Sequence, residues 1–337
     1  MIALFATVII LIVLIIHYYK NNTIYENNTS KKISNKLEVW LYLDTEDKYW
    51  SNFSNKTKNI PDYLLLCLKT IFQNSGKNVN IITNHNVTKY LSNIDTKILN
   101  DKTVPSIYKN YYISTAILYT YGGIWLVPNM ILFKNIDYIE TKLQEFNFVA
   151  FGCSNNKYMC NNNHLSPNLG VFASQKGNPL MKHCFTKINE YFNDNINYNY
   201  EFQNDIKNII LDELKHMVNN NIIKYYQIDS YHNGKRDSKN KLIKVDNLLS
   251  TNNTVFRYEP VFVLIDRDEL DKNSIYSWFN NMNKEQIINS NLWISSLFRK
   301  ALQKTQELED YNKLPEDTNK YFYFPNESVT KQAVHNK

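Results

Sequence analysis

The stretch LYTYGGIWLVPNMILF, residues 118–133, places two glycines inside an apolar run. Gly122 and Gly123 lack a Cβ atom, so the chain can turn sharply there or let another backbone segment approach closely. The residues GIWL that start at Gly123 are mostly apolar and β-prone. The stretch therefore predicts the end of a helix, a tight turn and the start of a buried strand.

The residues before this turn predict an alternation of strands and helices. The segment LEVWLYL at 37–43 is a first strand and NVNIIT at 78–83 is a second one. Between them a helix begins at Pro61 and closes at the Ser75-Gly76 pair. A longer helix is predicted after Pro105, because one face recurs at spacings of four, three, four and three. The residues on that face are Ile107, Tyr111, Ser114, Leu118 and Tyr121.

The residues after the turn continue the alternation. Strands are predicted at FNFVAFG, LGVFAS, IIKYYQI and PVFVLI, and helices at 179–192, 202–218 and 291–305. Strands that alternate with helices indicate a mainly parallel α/β sheet with helices on both faces. Trp40 and Trp125 fall in predicted strands and are expected in the core.

The first residues predict a membrane anchor. Residues 2–19 contain no acidic residue, lysine or arginine, and about 18 residues suffice to cross a bilayer core. No basic residues precede this span and no small-x-small cleavage site follows it, which favours an uncleaved signal anchor over a cleaved signal peptide. Taken literally, the positive-inside rule keeps the main domain cytoplasmic, because the nearest lysines follow the span, but the orientation stays open.

The remaining chain divides by composition into three parts. Residues 20–36 are polar and aperiodic, which is typical of a linker. Residues 37–306 carry the alternating strands and helices and form the main domain. Residues 307–337 are a polar tail.

Composition argues against two classes of protein. A hydrophobic content of 43% with 14% aromatic residues excludes wholesale disorder. The net charge of +6 comes from dispersed lysines, and no nucleic-acid-binding motif is present, so nucleic acid is not an expected partner.

Asn-x-Ser/Thr sequons do not establish a lumenal location, because many arise by chance in so Asn-rich a chain. Cys153 and Cys160 would close a loop only in an oxidising compartment, and free thiols are the default.

The order strand, helix, strand, helix and then Tyr-Gly-Gly-Ile-Trp-Leu resembles one known family. The match covers about residues 37–185 and is best around STAILYTYGGIWLVPNMILFKNID, while Asn168, Ala173 and Pro179 match a later Asn-x-x-x-x-Ala…Pro segment. The chain resembles the glycosyltransferases with the DXD sugar-binding motif, which include capsular polysaccharide synthesis proteins and the initiating α-mannosyltransferases of yeast Golgi. The resemblance implies the nucleotide-sugar-binding GT-A fold, and the Asn/Lys-rich composition fits a divergent giant-virus branch.

Four positions that carry the chemistry of this family differ here. The resemblance places its two metal-binding aspartates at Val127 and Asn129, and an Asp and an Arg of the preceding helix at Tyr111 and Ser114. Hard divalent cations prefer carboxylate oxygens and neutralise the diphosphate as the sugar leaves. Because valine offers no ligand and asparagine offers one neutral oxygen, the resemblance implies a donor-binding glycine turn without the usual metal site.

Cationic side chains are the predicted replacement for the metal, because they can stabilise a leaving diphosphate. The loop YHNGKRDSKNK at 231–241 supplies His232, Lys235 and Arg236 after a predicted strand. The alternative for this loop is an ordinary solvated surface. Weaker cationic candidates are Lys134 and His164.

An acidic loop follows the first predicted strand. Asp44, Glu46 and Asp47 lie at its carboxyl end, where ligands collect in open α/β sheets. These carboxylates could be a substitute metal-ligand set or supply a base. The alternative is an acidic loop that is solvated and has no role in a site.

Two functions from different classes stay open. The first is a membrane-anchored glycosyltransferase-like protein that binds a nucleotide-sugar or glycan through a degenerate Val127-Pro128-Asn129 motif. The second is a catalytically inactive GT-A-like binding or scaffold protein at a membrane or virion. No catalytic residue is assigned, no cofactor or metal is predicted, and the expected partners are a membrane, a nucleotide-sugar and a glycan acceptor. The candidate substrate-binding residues are Tyr111, Ser114, Gly122, Gly123, Asn129, Asn168, His232, Lys235 and Arg236.

Overall fold

The computed structural model describes residues 37–51, 60–152, 167–194, 205–252 and 254–303. The predicted anchor at 2–19, the linker at 20–36 and the tail at 307–337 lie outside these residues, as do Cys153, Cys160 and His164. In the described part of the chain, no helix combines the length and the apolar character needed to span a membrane.

A six-stranded sheet lies at the centre of the domain. Eight strands are found among the described residues: β1 (Val39–Leu43), β2 (Val79–Thr83), β3 (Gly123–Leu126), β4 (Met130–Leu132), β5 (Phe148–Gly152), β6 (Pro167–Ser174), β7 (Tyr225–Ile228) and β8 (Phe262–Leu264). The central sheet has the order β2-β1-β3-β6-β5-β7. Only β6 is antiparallel to its two neighbours, and the other pairs are parallel. The predicted α/β fold with a mainly parallel sheet is therefore confirmed.

Helices cover both faces of this sheet, as predicted. The helices of the described chain are α1 (Asp62–Asn74), α2 (Thr96–Asn100), α3 (Ser106–Tyr121), α4 (Asp137–Leu143), α5 (Pro179–Asp194), α6 (Asp205–Asn219), α7 (Val245–Leu248), α8 (Arg267–Lys272), α9 (Ser277–Asn280), α10 (Lys284–Asn289) and α11 (Trp293–Gln303). Side chains of β1 alternate between the two faces. Val39 and Leu41 pack in the cluster that contains α1 and α11, whereas Trp40 and Tyr42 pack with α3, α5 and α6. Burial on both faces explains why β1 is apolar throughout.

Helix α3 is buried on more than the one face that its spacing predicted. Tyr111, Ser114 and Leu118 are buried as expected, but Ile107 and Tyr121 are 45% and 41% exposed. These two residues lie in the first and last turns of the helix. The middle of α3 packs against the sheet and also against α5, so side chains all round the helix are covered there.

The chain leaves the central sheet directly after β3. The next three residues are Val127, Pro128 and Asn129, and the chain then forms β4, which pairs antiparallel with β8 in a separate two-stranded sheet. Proline cannot donate a hydrogen bond to a strand neighbour, which favours the end of β3 at this point. The sequence did not predict β4 as a second strand.

The glycine turn between α3 and β3 is present, and close backbone approach explains both glycines. Gly122 has a φ angle of +71° and Gly123 a φ angle of +114°, a region that L side chains rarely adopt. A Cβ atom on Gly122 would lie 2.6 Å from the backbone nitrogen of Lys176. A Cβ atom on Gly123 would lie 2.4 Å from the backbone oxygen of Glu38. The indole nitrogen of Trp40 donates to the Gly122 oxygen at 2.8 Å and closes the turn.

Candidate functional site

A cavity of about 270 Å³ lies where β1 and β3 end at their carboxyl termini. Ligands collect at this edge in open α/β sheets, because the strands end there and loops diverge. The antiparallel strand β6 begins at the same edge, so its first residues join the wall. The lining residues are Tyr42, Asp44, Trp50, Ser106, Ile107, Asn110, Tyr111, residues 127–129, residues 168–170, Lys207, Lys235 and residues 264–268.

Four of the nine predicted substrate-binding residues line this cavity. They are Tyr111, Asn129, Asn168 and Lys235. Gly122 and Gly123 are not among the lining residues. They precede β3, whereas the cavity lies beyond its last residue, so the turn and the cavity are at opposite ends of the strand. Close backbone contacts explain both glycines by packing, and a donor-binding role for the turn stays a prediction.

The other three predicted residues do not line the cavity and are held by neighbouring residues. Ser114 is buried, and its hydroxyl donates to the Tyr111 backbone oxygen at 3.1 Å. The Arg236 guanidinium donates to the Asn240 backbone oxygen at 2.9 Å. His232 stacks on Tyr258 with ring centroids 5.8 Å apart, and burial lowers the pKa of its imidazole. Because His232 and Arg236 are buried, a fully solvated loop is also a wrong description.

Asn129 has a bonding role within the cavity wall. Its side-chain nitrogen donates to the Ile265 backbone oxygen at 2.6 Å, and the Ile265 backbone nitrogen donates to the Asn129 backbone oxygen at 2.9 Å. These bonds fasten the loop after β3 to the segment after β8. Asn129 therefore holds two walls of the cavity together.

Asn168 presents a hydrogen-bond donor that lacks a partner among the described residues. Its side-chain oxygen accepts from the Gly170 nitrogen at 2.9 Å, which fixes the orientation of the amide. Its side-chain nitrogen is buried and makes no hydrogen bond within the described chain. A buried donor without a partner costs about 1–3 kcal/mol, so a ligand oxygen at this point would recover that energy.

Two lysines contribute positive charge to the cavity. Lys235 comes from the loop after β7, and Lys207 comes from α6. No salt bridge of either lysine is found within the described ranges. Burial lowers the pKa of both ammonium groups, although Asp266 and Glu269 act in the opposite direction on Lys235. The sequence predicted Lys235 but not Lys207, because one lysine on an amphipathic helix carries no signal of its own.

The carboxylate of Asp44 lies in the cavity wall but is bound by its neighbours. The Lys109 ammonium approaches its Oδ2 to 3.3 Å, and both side chains are buried. The Asn84 amide donates to Oδ1 at 3.2 Å and the Glu46 backbone nitrogen at 3.0 Å. The Tyr42 hydroxyl donates to the Asn84 side-chain oxygen. The pKa of Tyr42 is raised, mainly because the hydroxyl is buried and secondly because of the charge of Asp44. Lys109 and Asn84 were not predicted from the sequence.

The other acidic residues of this loop have separate cationic partners. Asp47 pairs with Arg267 at 3.0 Å and Glu46 with Lys102 at 3.8 Å. Within the described residues, no group of three or more His, Cys, Asp or Glu side chains is placed to hold a metal ion. The predicted substitute ligand set of Asp44, Glu46 and Asp47 is thus not assembled. Lys134, a weaker candidate, pairs with Glu259 at 3.3 Å outside the cavity.

Comparisons with known proteins give structural neighbours at low similarity, among them two glycosyltransferases. No family model and no curated protein sequence matches the chain. The glycosyltransferase GlyE of Streptococcus pneumoniae TIGR4 aligns with 11% identity over 83% of this chain and 66% of its own, with a TM-score of 0.39. The galactosyltransferase LgtC, solved with donor and acceptor sugar analogues, aligns with 10% identity over 85% of this chain and 100% of its own, with a TM-score of 0.35.

Proposed function

We propose that this chain is a GT-A-like, glycosyltransferase-like protein that binds a nucleotide-sugar in the cavity and holds its diphosphate with lysines. The observation that carries the proposal is the placement of Lys207 and Lys235 in a cavity at the carboxyl ends of β1 and β3. A diphosphate carries several negative charges, and ammonium groups in a partly buried site attract them more strongly than in water. No metal is required for this part of the binding.

The rest of the cavity supports a sugar-bearing ligand of this kind. Asn168 offers an amide donor without a described partner, which suits a hydroxyl or phosphate oxygen. Trp50, Ile107 and Val127 add apolar surface to the polar wall. Ligand sites commonly combine such apolar surface with a few well-placed polar groups. Descent from DXD glycosyltransferases, a giant-virus origin and a membrane anchor at residues 2–19 belong to the same proposal.

An inactive binding or scaffold protein is the second candidate. Val127 and Asn129 stand where the resembled family has carboxylates, and the Asn129 amide is engaged with Ile265. Asp44 already has three donors, so its carboxylate is poorly placed to act as a base. Measured release of nucleoside diphosphate from a bound nucleotide-sugar separates the two candidates. Release that depends on an acceptor glycan supports a transferase, whereas tight binding without turnover supports a binding protein.

Replacing Lys207 and Lys235 together with alanine is expected to weaken nucleotide-sugar binding by about a hundredfold or more, because each lost charge-assisted hydrogen bond costs about 1.5–3 kcal/mol. The measurement is calorimetric titration of the full chain with a panel of uridine- and guanosine-diphosphate sugars, with Mn²⁺ and with EDTA. The matched control is Lys182→Ala together with Lys215→Ala on the exposed faces of α5 and α6. That control should bind as the unmodified chain does.

Three results would contradict this account. Binding that EDTA abolishes and Mn²⁺ restores would show that a metal holds the diphosphate. An unchanged affinity in the Lys207 and Lys235 variant would show that these lysines do not reach the ligand. Failure of every nucleotide-sugar in the panel to bind would remove the proposed ligand class.

The same binding is expected to weaken as the pH rises through the alkaline range, and to do so below the usual lysine pKa of about 10.4. Burial lowers the pKa of Lys207 and Lys235, so these groups lose their proton at a lower pH than an exposed lysine does. A bound diphosphate favours the protonated form of these lysines. At a pH where the free lysines have begun to lose their protons, binding is therefore accompanied by proton uptake. Titrations repeated over a pH series should show this decrease, and the double alanine variant should show little of it.

A further inference from the structure

We propose that the domain docks on anionic lipid bilayers through one surface, independently of any anchor and of the sugar-binding proposal. The surface lies on the loop after β7 and on the chain that runs beside it, and we call it the basic strip. It consists of Lys239, Lys241, Leu242, Lys244 and Val255, all of which are exposed.

Backbone hydrogen bonds bring these residues together on a tight loop and on the chain segment bonded to it. The Asp237 nitrogen donates to the Lys241 oxygen at 3.0 Å, which closes a tight loop, and Arg236 forms a β-bridge with Leu242. The Ser238 nitrogen donates to the Val255 oxygen at 2.8 Å and joins the second chain to this loop. Two segments that are separate in the sequence therefore lie side by side and share one surface.

The charge of the basic strip is positive and is not neutralised locally. Residues 235–258 contain six basic and two acidic residues. One of the acidic residues, Asp237, accepts hydrogen bonds from the backbone nitrogens of Lys239 and Lys241 and so serves the loop itself. The other, Asp246, accepts from the Tyr276 hydroxyl. Across the described residues, no salt bridge is found for Lys239, Lys241 or Lys244.

Apolar side chains lie among these lysines. Val255 is 68% exposed and Leu242 is 36% exposed. The next residue, Phe256, packs on Trp293 of α11 with ring centroids 5.0 Å apart, which holds this segment against the domain. Lysines attract anionic headgroups, while apolar side chains between them enter the boundary between headgroups and acyl chains.

This combination favours a lipid surface over a nucleic acid. The Tyr258 ring, at the end of the same segment, is stacked on His232 rather than belonging to the strip. Single-stranded nucleic acids are held by aromatic side chains on which bases stack, and apolar Val255 and Leu242 offer no such platform. The cavity lies next to the strip, because the Ile243 nitrogen donates to the oxygen of the cavity residue Lys235 at 2.9 Å. Docking would therefore place the cavity near the bilayer.

The test is hydrogen exchange of the full chain mixed with lipid nanodiscs. Amides at residues 238–242 and 254–258 should exchange more slowly with discs that contain phosphatidylglycerol than with discs of phosphatidylcholine alone. High salt should remove the difference. Each lysine near an anionic surface strengthens docking about fivefold, so K239Q/K241Q/K244Q should weaken it about a hundredfold and abolish the protection.

Matched controls decide between docking and other causes. The variant K89Q/K182Q/K215Q changes the net charge equally at exposed lysines elsewhere and should keep the protection. Equal protection with both kinds of disc, or equal loss in both variants, would overturn the proposal. Protection by a single-stranded oligonucleotide but by neither disc would also overturn it and would assign the strip to nucleic acid.

Discussion

Gly123→Ala is expected to lower the free energy of unfolding by about 3–5 kcal/mol, a large part of the total stability of a domain. Two costs add at this position. A φ angle of +114° is accessible only to glycine without strain, and a non-glycine residue held there costs about 1–3 kcal/mol. The added Cβ atom would also lie 2.4 Å from the Glu38 oxygen and 2.7 Å from the Trp40 indole nitrogen, and overpacking costs about 1–3 kcal/mol more.

The chain offers a control that separates these two costs. Gly177 has a φ angle of +74°, but no heavy atom beyond its own chain neighbours lies within 4 Å of the Cβ position in the described structure. Gly177→Ala should therefore cost only the conformational part, about 1–2 kcal/mol. Denaturant unfolding of both variants, followed by tryptophan fluorescence, gives the comparison. Equal destabilisation by the two substitutions would show that close packing at Gly123 contributes nothing.

The main elements of this fold could be predicted from the sequence because their signals are local. Periodicity, the Pro61 and Ser75-Gly76 boundaries and the glycine turn place β1, α1, α3 and β3 to within a few residues. The short strand β4 could not be predicted, because its partner β8 is more than a hundred residues away and three residues give no period. The exposure of Ile107 and Tyr121 depends on where α5 and the sheet end. The sequence of α3 itself carries no information on those positions.

The candidate site was only partly predictable, for a related physical reason. Lys235 and Asn168 stand in segments with a recognisable pattern, and both line the cavity. Lys207 reaches the cavity from α6. Only the packing of the folded chain distinguishes it from other lysines on a helix, so the sequence could not identify it. The glycine turn shows how one sequence signal can have two explanations. Its two adjacent glycines suggested a ligand, and the structure shows that close contacts with Glu38, Trp40 and Lys176 are sufficient to account for both of them.

The two functional candidates make different demands on the same cavity. A binding protein needs only complementarity to its ligand, which two lysines and a buried amide can supply. A transferase must also stabilise a charge that grows during the reaction. Asp44 bears on this question, because it faces the cavity yet is tied to Lys109 and Asn84. If that carboxylate is structural, its removal should first reduce the stability of the fold.

Lys109→Met is expected to lower the free energy of unfolding by about 3–5 kcal/mol. The substitution keeps an apolar chain of similar length but leaves the buried carboxylate of Asp44 without a cation. Breaking a buried ion pair from one side costs this much because the remaining charge cannot regain its hydration. Denaturant unfolding at neutral pH measures the loss. The control is Lys102→Met, which removes the partner of Glu46 in the same loop, where Lys102 is 79% exposed.

The control should change stability by less than about 1 kcal/mol, because exposed ion pairs are screened by water. The double variant Asp44→Asn with Lys109→Met provides the decisive comparison. It removes both charges and keeps a side chain that can still hydrogen-bond to the Asn84 amide, so much of the lost stability should return. A double variant as unstable as the sum of its two single variants would show that the charges do not act as a pair. Recovery in the double variant would show that Asp44 and Lys109 act as a buried structural pair in the cavity wall at the end of β1.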